Sequence, residues 1–341
     1  MVQRKRKEEI VSAIRKKVPP KTGVYIFRNA DGQVIYIGKS INLKQRMLSY
    51  FRLKPFDVEN RIARMAFDIA DFSFEVTRTE FLALLLEDEL IKKHGPHYNN
   101  RQNELSEFRY LLLTDDNYPA LVQVDHSETS KGRRIFGPFK DRYFADDLLN
   151  LIQQHLHMRA CKDPKPFKRC MNCEIGNCKG PCRQKITPAE YAEIVNKVVA
   201  FLNGNETTMV EGLKNAMEAA AEAMDYEKAS ELKEKIEFCK RFGARQRFID
   251  RFGSEKLVIV ENGETEAVYV FEKGEQAGRS NPGEAIASGN LSSVQVARCS
   301  GVDPRYLLDR ANIVYNWLGK QRDTCEYYFE GGESQRKAPE I

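Results

Sequence analysis

The sequence contains no run of about 18 apolar residues, and it therefore predicts no membrane-spanning helix. The basic stretch 1–17 lacks the apolar core of a secretory signal, so we expect a cytoplasmic protein with reduced thiols. Internal repeats and low-complexity tracts are also absent. The 341 residues are 42 % apolar and 30 % charged, which is typical of a folded globular chain with two or three domains.

The net charge of +5 is distributed unevenly. Residues 1–55 contain fourteen Lys or Arg and three Asp or Glu, a balance of +11. Residues 159–185 carry a balance of +6, and the rest of the chain sums to −12. Two basic segments in an otherwise acidic chain indicate that one part of the protein meets a polyanion.

The residue pattern predicts an α+β fold that begins with a small αβ unit. Two β-branched and aromatic runs, 23–27 and 34–37, flank Asn-Ala-Asp-Gly, a strong hairpin signal. Helical spacing of apolar residues follows at 43–50, 62–69 and 79–93. Further along, the pattern predicts strands at 110–113, 121–124, 257–261 and 267–272, and helices at 146–156, 188–203, 206–242 and 306–318.

Glu87 projects a carboxylate from the apolar side of the helix predicted at 79–93. Its neighbours three and four positions away are all apolar, namely Ala83, Leu84, Leu90 and Ile91. Asp88 and Glu89, by contrast, each have a lysine one turn ahead. Because desolvating a lone carboxylate is costly, Glu87 must be paired, protonated or bound to a metal. A buried ion pair with an Arg or Lys is the alternative to a metal site.

The predicted hairpin supplies complementary groups. Tyr25 and Tyr36 lie on the paired strands, and Lys39 and Arg46 follow on the loop and helix after them. Two strand tyrosines alone more often serve packing than chemistry. Together with Glu87, however, the set holds a metal carboxylate, a phosphate-binding arginine and a phenol beside a cation. Those are the groups needed to cleave a phosphodiester.

At these residues the chain resembles the GIY-YIG nuclease module in the version at the N-terminus of the UvrC family of repair endonucleases. The resemblance is carried by Gly23-Val24-Tyr25, Tyr36-Ile37-Gly38-Lys39-Ser40, Arg46, Glu87 and Asn99. Two departures are visible: Leu82 stands where the family usually has a second Glu, and 101–109 lacks the family's usual run of residues. Neither touches the core set.

The resemblance implies a role for each of these residues. A divalent cation, Mg²⁺ or Mn²⁺, would bind Glu87, with Asn99 supporting the site. Tyr36, polarised by Lys39, would activate the attacking water. Arg46 would hold the scissile phosphate, and Tyr25 would orient phosphate or water. The basic side chains expected to contact DNA are Lys39, Lys44 and Arg46.

Five of the eight cysteines fall in one short segment: Cys161, Cys170, Cys173, Cys178 and Cys182. In a reducing compartment metal ligation is a better interpretation than disulfides, and four thiolates suit Zn²⁺ or an iron–sulfur cluster. Spacing alone does not separate the two metals. A patch in UvrC proteins resembles this segment and implies Cys161, Cys170, Cys178 and Cys182 as ligands of a 4Fe-4S cluster, with Cys173 as an extra thiol. The bases around it would face DNA phosphates, or form a merely solvated charged loop.

Apolar residues at helical spacing on both sides of Asp225 predict an αα-hairpin over about 208–243. Pattern alone fits two packed core helices equally well. The residues at 217–220, 224–229 and 232–236, however, resemble the UVR motif, which pairs UvrC with UvrB. The resemblance implies that four partly exposed side chains bind this partner: Met217, Met224, Leu232 and Ile236.

The resemblance divides the chain into a GIY-YIG nuclease domain at 18–100 and a connecting region at 101–186 with the cysteine segment at 161–182. A helical region at 187–245 and a small α+β region of unknown role at 246–341 follow. The last ninety residues are too few for the second, RNase H-like nuclease and the helix-hairpin-helix motifs of UvrC. The chain therefore resembles the short Cho branch of the family, which carries a single nuclease.

The expected function is a metal-dependent DNA endonuclease of nucleotide excision repair. It would cut on the 3′ side of a lesion in double-stranded DNA after recruitment by UvrB. Two alternatives stay open: a non-catalytic DNA-binding adaptor of the UvrB complex, and a GIY-YIG nuclease that acts independently of UvrB.

Overall fold

The structure, a computed structural model, describes residues 2–52, 61–99, 108–125, 134–161, 170–261, 267–280, 304–321 and 324–330. The chain divides into two compact units, one within residues 1–104 and the other largely within residues 105–341. Within the part of the chain so described, no helix combines the length and the apolar character needed to span a bilayer.

The first unit is built on a three-stranded antiparallel sheet in the order β2-β1-β3. Its strands are β1 (Gly23–Arg28), β2 (Val34–Ser40) and β3 (Asp71–Val76). Its helices are α1 (Val2–Lys17), α2 (Leu43–Tyr50), α3 (Arg61–Asp68) and α4 (Glu80–His94), followed by a 3₁₀ turn at His97–Asn99. The predicted hairpin and the helices after it are confirmed. Strand β3 and helix α1 were not predicted.

Local sequence explains where these helices begin and end. The Asn42 side chain accepts a hydrogen bond from the Gln45 N–H at 3.0 Å, and it thereby caps α2. The Thr79 side chain caps α4 in the same way, and α4 ends at Gly95, whose φ of 53° is in the left-handed region that glycine favours. On its inner face α1 buries Ile10 and Ile14 against the sheet and α2.

The second unit contains two antiparallel sheets. The three-stranded sheet has the order β5-β4-β6, and the four-stranded sheet has the order β10-β7-β8-β9. The strands are β4 (Arg109–Leu113), β5 (Leu121–Val124), β6 (Ile135–Phe139), β7 (Lys256–Glu261), β8 (Ala267–Glu272), β9 (Glu275–Ser280) and β10 (Cys325–Phe329).

The helices of this unit are α5 (Arg142–Leu156), the short α6 (Met171–Glu174), α7 (Pro188–Leu202), α8 (Thr207–Glu222), α9 (Tyr226–Ser254) and α10 (Pro304–Lys320). Helices α8 and α9 form the predicted hairpin, with Asp225 as the N-cap of α9. Helix α9 runs to Ser254, past the end expected at 243. Its C-terminal half packs Phe248 and Phe252 among the aromatic residues of β8, α10 and β10, so tertiary contacts extend the helix.

Candidate nuclease site and cysteine segment

Glu87 lies where the first sheet meets α4. Its Oε1 accepts a hydrogen bond from the backbone N–H of Lys39 at 2.9 Å. Around it, Ala83 and Ile91 of α4 are buried against Val24 and Ile37 of the sheet, as the apolar neighbours predicted. Burial raises the pKa of the Glu87 carboxyl above its usual value, and the Lys39 N–H opposes that shift. The carboxylate is thus fixed in position, and the hydrogen bond from Lys39 compensates only part of the cost of burying its charge.

Asn99 hydrogen-bonds the same edge of β2 at Ile37, two residues before Lys39. Its Oδ1 accepts from the Ile37 N–H at 2.9 Å, and its Nδ2 donates to the Ile37 carbonyl at 2.8 Å. The outward backbone groups of an edge strand otherwise need water or a partner strand. Asn99 pairs with the backbone N–H and C=O of Ile37, and Glu87 pairs with the backbone N–H of Lys39. The asparagine therefore holds in place the strand that carries Tyr36, and does not itself point at a ligand.

Three tyrosines and Arg46 form one contiguous group. The hydroxyls of Tyr25 and Tyr50 are 2.6 Å apart, and the ring of Tyr36 lies 6.0 Å from that of Tyr50. The Arg46 guanidinium lies over the Tyr50 ring at 5.0 Å and within electrostatic range of Tyr25. Burial raises the pKa of Tyr25 and of Tyr50; Tyr50 and Tyr36 raise that of Tyr25 further, and Tyr36 raises that of Tyr50, which its hydrogen bond with Tyr25 lowers. Both phenols therefore stay protonated.

Gly38 makes this packing possible. A Cβ at Gly38 would lie 2.4 Å from the Tyr25 hydroxyl and 3.0 Å from the Tyr36 ring. Any other residue there would push the Tyr25 ring away from Arg46 and Tyr50. The glycine of the Tyr-Ile-Gly sequence is thus required by the tyrosine on the neighbouring strand.

The Lys39 ammonium forms an ion pair with Glu80 at 2.8 Å. Glu80 and Glu87 are seven positions apart on α4, so both lie on one helix face. One carboxylate binds the Lys39 side chain and the other its backbone N–H. A contact between Lys39 and Tyr36 is not among those of the described residues, and the polarisation of Tyr36 by Lys39 stays a prediction.

Sequence reasoning missed two members of this site, Tyr50 and Glu80. Tyr50 falls within the apolar helical spacing at 43–50, and it stands four positions after Arg46 on the same helix face. Glu80 lies one heptad before Glu87. In both cases the signal available in the sequence was the helical spacing, from Arg46 to Tyr50 and from Glu80 to Glu87.

A single carboxylate fits a magnesium-type site. Mg²⁺ is commonly held by one or two carboxylates and completes its shell with water and substrate phosphates. Among the residues with described positions, no group of three or more His, Cys, Asp or Glu is arranged to enclose a metal. Glu87, with the Arg46 cation in electrostatic range, therefore fits a cation whose remaining ligands are water or the oxygens of an anion.

The cysteine segment brings its thiols near one another without forming a ligand set. Cys178 is buried, and burial raises the pKa of its thiol, with further contributions from Cys161, Cys170 and Cys173. Burial also raises the pKa of Cys182, and Cys170 and Cys161 add to that shift. Residues 162–169 lie outside the described part of the chain. All five thiols belong to described residues, and no three of them are arranged to enclose a metal.

Backbone contacts shape this segment. The Gly180 N–H donates to Cys178 Sγ at 3.4 Å, and a Cβ on Gly180, whose φ is +72°, would lie 2.7 Å from Cys173 Sγ. At its start, the fully buried Arg159 donates to the Cys161 carbonyl and pairs with Asp116 at 2.7 Å. The segment is thus anchored at Arg159 and folded closely around its glycines.

The hairpin exposes less of its apolar surface than predicted. Leu232 and Ile236 are 2 % and 4 % exposed and pack in the largest core with residues of α5 and α7. Met217 packs partly against the same core. The expectation that Leu232 and Ile236 wait for a partner is therefore corrected, because this chain's own helices cover them. Met224 and the adjacent Tyr226, at the hairpin tip, are 76 % and 71 % exposed.

Three family models match the chain in consecutive order. The UvrC-like GIY-YIG domain matches residues 21–100, the UvrC/Cho excinuclease middle domain matches 108–201, and the UvrB/UvrC motif matches 207–241. The first of these matched ranges contains Tyr25, Tyr36, Lys39, Arg46, Glu87 and Asn99.

Curated relatives include several proteins named UvrABC system protein C. The UvrABC system protein C of Clostridium botulinum is 34 % identical over 264 residues, which cover 75 % of this chain and 42 % of that protein. The UvrABC system protein C of Moorella thermoacetica is 30 % identical over 326 residues, covering 90 % of this chain and 52 % of that protein. The chain thus spans about half the length of the curated relatives it matches.

A solved structure with sequence similarity is the GIY-YIG N-terminal endonuclease domain of UvrC from Thermotoga maritima, bound to its catalytic divalent cation, magnesium. It is 37 % identical, covers 27 % of this chain and 97 % of that chain, and has a TM-score of 0.24.

Proposed function

Because this chain belongs to the UvrC family, we propose that it is a metal-dependent DNA endonuclease of nucleotide excision repair. It hydrolyses one phosphodiester on the 3′ side of a lesion in double-stranded DNA after recruitment by UvrB. The observation that carries the proposal is the fixed Glu87 carboxylate beside the Arg46–tyrosine group, because that arrangement supplies a cation ligand next to a phosphate ligand.

In this proposal each side chain acts on the phosphodiester or on water. A divalent cation on Glu87, Mg²⁺ or Mn²⁺, would supply Lewis-acid stabilisation of the phosphate charge. Arg46 binds the scissile phosphate, and the protonated Tyr25 and Tyr50 position Arg46 and donate hydrogen bonds. Tyr36 takes the proton of the attacking water and releases its own phenolic proton to solvent as the water oxygen bonds to phosphorus. The bond from phosphorus to the leaving 3′ oxygen breaks in the same displacement, and that oxygen takes a proton from water. Glu80 holds Lys39 beside the site, and Asn99 keeps β2 in place.

The contribution of Glu87 can be measured by nicking of a lesion-bearing duplex with UvrB and Mg²⁺. We expect Glu87→Ala to reduce the rate by more than about 10³-fold, beyond the 10²–10³ that loss of one transition-state hydrogen-bond donor typically costs. Glu89→Ala, two positions on in the same helix and exposed, is the matched control and should nick normally. Normal nicking by Glu87→Ala would leave the non-catalytic adaptor as the better function.

We also propose that the hairpin tip is the UvrB-binding element. The exposed Met224 and Tyr226 support this proposal, since the side chains behind them are already buried. A Met224→Glu/Tyr226→Ala variant should keep its melting temperature and lose UvrB-dependent incision. If that variant still binds UvrB and incises as before, the alternative of a nuclease that acts independently of UvrB gains support.

The cysteine segment is proposed to hold a metal through Cys161, Cys170, Cys178 and Cys182, with Cys173 as an additional thiol. Five thiols within mutual electrostatic range in a basic segment support it. A 4Fe-4S cluster is favoured over Zn²⁺ by the family resemblance, and both accept four thiolates. Its proposed role is structural, presenting the surrounding Lys and Arg to DNA.

A further inference from the structure

Helix α1 precedes the residues that match the nuclease family model, 21–100. It contains seven Lys or Arg and two Glu among its sixteen residues. Ile10 and Ile14 are buried in the same core cluster as Met47 and Tyr50 of α2. The helix is therefore fixed to the nuclease unit by an apolar stripe, and its basic residues are carried as part of that unit.

Between α1 and the end of α2 lies an open groove of about 500 Å³. Its polar lining consists of Lys7, Glu8, Ser12, Arg15 and Lys16, and Phe51 forms the opposite side. The groove thus combines three cations with one carboxylate and one hydroxyl. Val11 and Phe51 add apolar surface to the groove. The excess of cations over carboxylates suits an anion with several oxygen acceptors.

The cations of the groove are not consumed by internal ion pairs. Arg15 and Lys16 are exposed, and neither has a salt-bridge partner among the residues whose positions are described. Lys7 lies over the Phe67 ring at 5.4 Å, which leaves its ammonium positive. These cations have no ion-pair partner to give up, and the helix that carries them is already packed on the unit. Binding a polyanion therefore requires little further ordering of the protein.

The groove and the candidate nuclease site belong to the same compact unit. Phe51 follows directly after Tyr50, which contacts both Tyr25 and Arg46. Arg46 and Phe51 are five residues apart, which corresponds to about 7.5 Å along a helix axis. Phosphates are spaced about 3.4 Å along the axis of one DNA strand, so a separation of this scale spans a few nucleotides and one duplex can reach both Arg46 and the groove.

We propose that the groove between α1 and Phe51 is a second DNA-binding subsite, which takes the sugar–phosphate backbone flanking the scissile phosphate. Lys7, Arg15 and Lys16 contact phosphate oxygens, and Ser12 donates a hydrogen bond to one of them. Contacts of this kind position the duplex and carry no sequence information. The subsite rests on the proposed nuclease function for its substrate, and it adds a contact surface outside the matched nuclease domain.

The test is DNA binding as a function of salt, in EDTA so that no cleavage occurs. The variant is Lys7→Gln/Arg15→Gln/Lys16→Gln, and the matched control removes three exposed lysines of the second unit, Lys197→Gln/Lys214→Gln/Lys233→Gln. Each phosphate contact contributes about 0.9 to the slope of log K against log salt. We expect the groove variant to lower that slope by about 2 to 3, and the control to leave it nearly unchanged.

A second measurement locates the contact. Uncharged methylphosphonate linkages placed two or three nucleotides from the nick should weaken binding of the wild-type chain and have no further effect on the groove variant. A groove variant whose slope equals that of the control, with its melting temperature unchanged, would overturn the subsite. Because both measurements are made without cleavage, they are separate from the Glu87→Ala test: a chain that fails to nick but shows the slope change retains the subsite and loses the nuclease function.

Discussion

The nuclease site and the cysteine segment are both proposed to bind a metal, yet they differ in how far the protein alone organises them. At the nuclease site the Glu87 carboxylate is held by a backbone hydrogen bond, and the strand beside it is held by Asn99. In the cysteine segment five thiols lie near one another, and no three of them are arranged as ligands.

The physical reason lies in the number of protein ligands that each metal needs. A hard cation that shares its shell with water and phosphate requires one carboxylate, which ordinary helix and strand contacts can position. A four-thiolate site must bring four ionisable groups together, and metal binding must displace their protons. Burial and neighbouring thiols raise the pKa of Cys178 and of Cys182, which makes that displacement harder without a metal. Organisation before binding is therefore expected at Glu87, and organisation on binding in the cysteine segment.

The largest effect should come from removing one thiol. Cys178→Ser should abolish metal retention by the purified chain, because a four-thiolate site that loses one ligand loses most of its affinity. Cys239→Ser, which alters a buried thiol of the hairpin core, is the control and should keep the metal. Metal content per chain and visible absorption are the measurements. Iron with visible absorption identifies a cluster, stoichiometric zinc without colour identifies a zinc site, and an unchanged metal content in Cys178→Ser would contradict the ligand set.

An intermediate effect is expected at Asn99. If the nuclease site is organised before metal binding, replacing Asn99 should lower the free energy of unfolding even without metal. Asn99→Ala leaves the backbone N–H and C=O of Ile37 without partners, and each such buried group costs about 1–3 kcal/mol. Tyr98→Phe, which removes a hydroxyl bonded to Asp68 at the exposed surface, is the neighbouring control and should cost under about 1 kcal/mol. Denaturant unfolding measures both. Equal stability of the two variants would mean that the nuclease site is not preorganised by this contact.

The smallest effect should be a stabilisation. Burial raises the folded-state pKa of Glu87 above its unfolded value. The free energy of unfolding therefore falls as the pH rises from the unfolded pKa through the folded pKa, because the folded state holds the proton more tightly. Glu87→Gln keeps the acceptor for the Lys39 N–H and removes the charge. Its melting temperature without divalent cations should exceed that of the wild type at pH 7 by a few degrees at most, and the difference should vanish below about pH 4, where Glu is protonated in both states.

Added Mg²⁺ sharpens the same measurement. Mg²⁺ should raise the melting temperature of the wild type and leave that of Glu87→Gln unchanged, since ligand binding stabilises only the chain that binds it. Glu89→Gln is the matched control and should follow the wild type. A wild type that melts above Glu87→Gln at pH 7 without metal would show that the carboxylate is already compensated inside the protein.

Much of the first unit was predictable because its signals are local. The Asn-Ala-Asp-Gly turn between two β-branched runs predicts the hairpin, and Thr79 and Gly95 mark the ends of α4. Strand β3 alternates Phe72 and Phe74 with polar residues over only six positions, and it is stabilised by pairing with β1, so local sequence indicated it weakly. Helix α1 is rich in charge, and its apolar stripe becomes evident only when it packs on α2.

Residue types and their spacing in the sequence identify the candidate functional groups: one carboxylate on an apolar helix face, two strand tyrosines, a lysine and an arginine at set spacings, and a segment dense in cysteine. Residue types and short-range periodicity suffice for such statements. Only the tertiary structure decided that Glu80 pairs with Lys39, that Tyr50 joins Tyr25, and that Leu232 is buried by the chain's own helices. These contacts join residues far apart in sequence, and each depends on how a whole element packs, which no local pattern records.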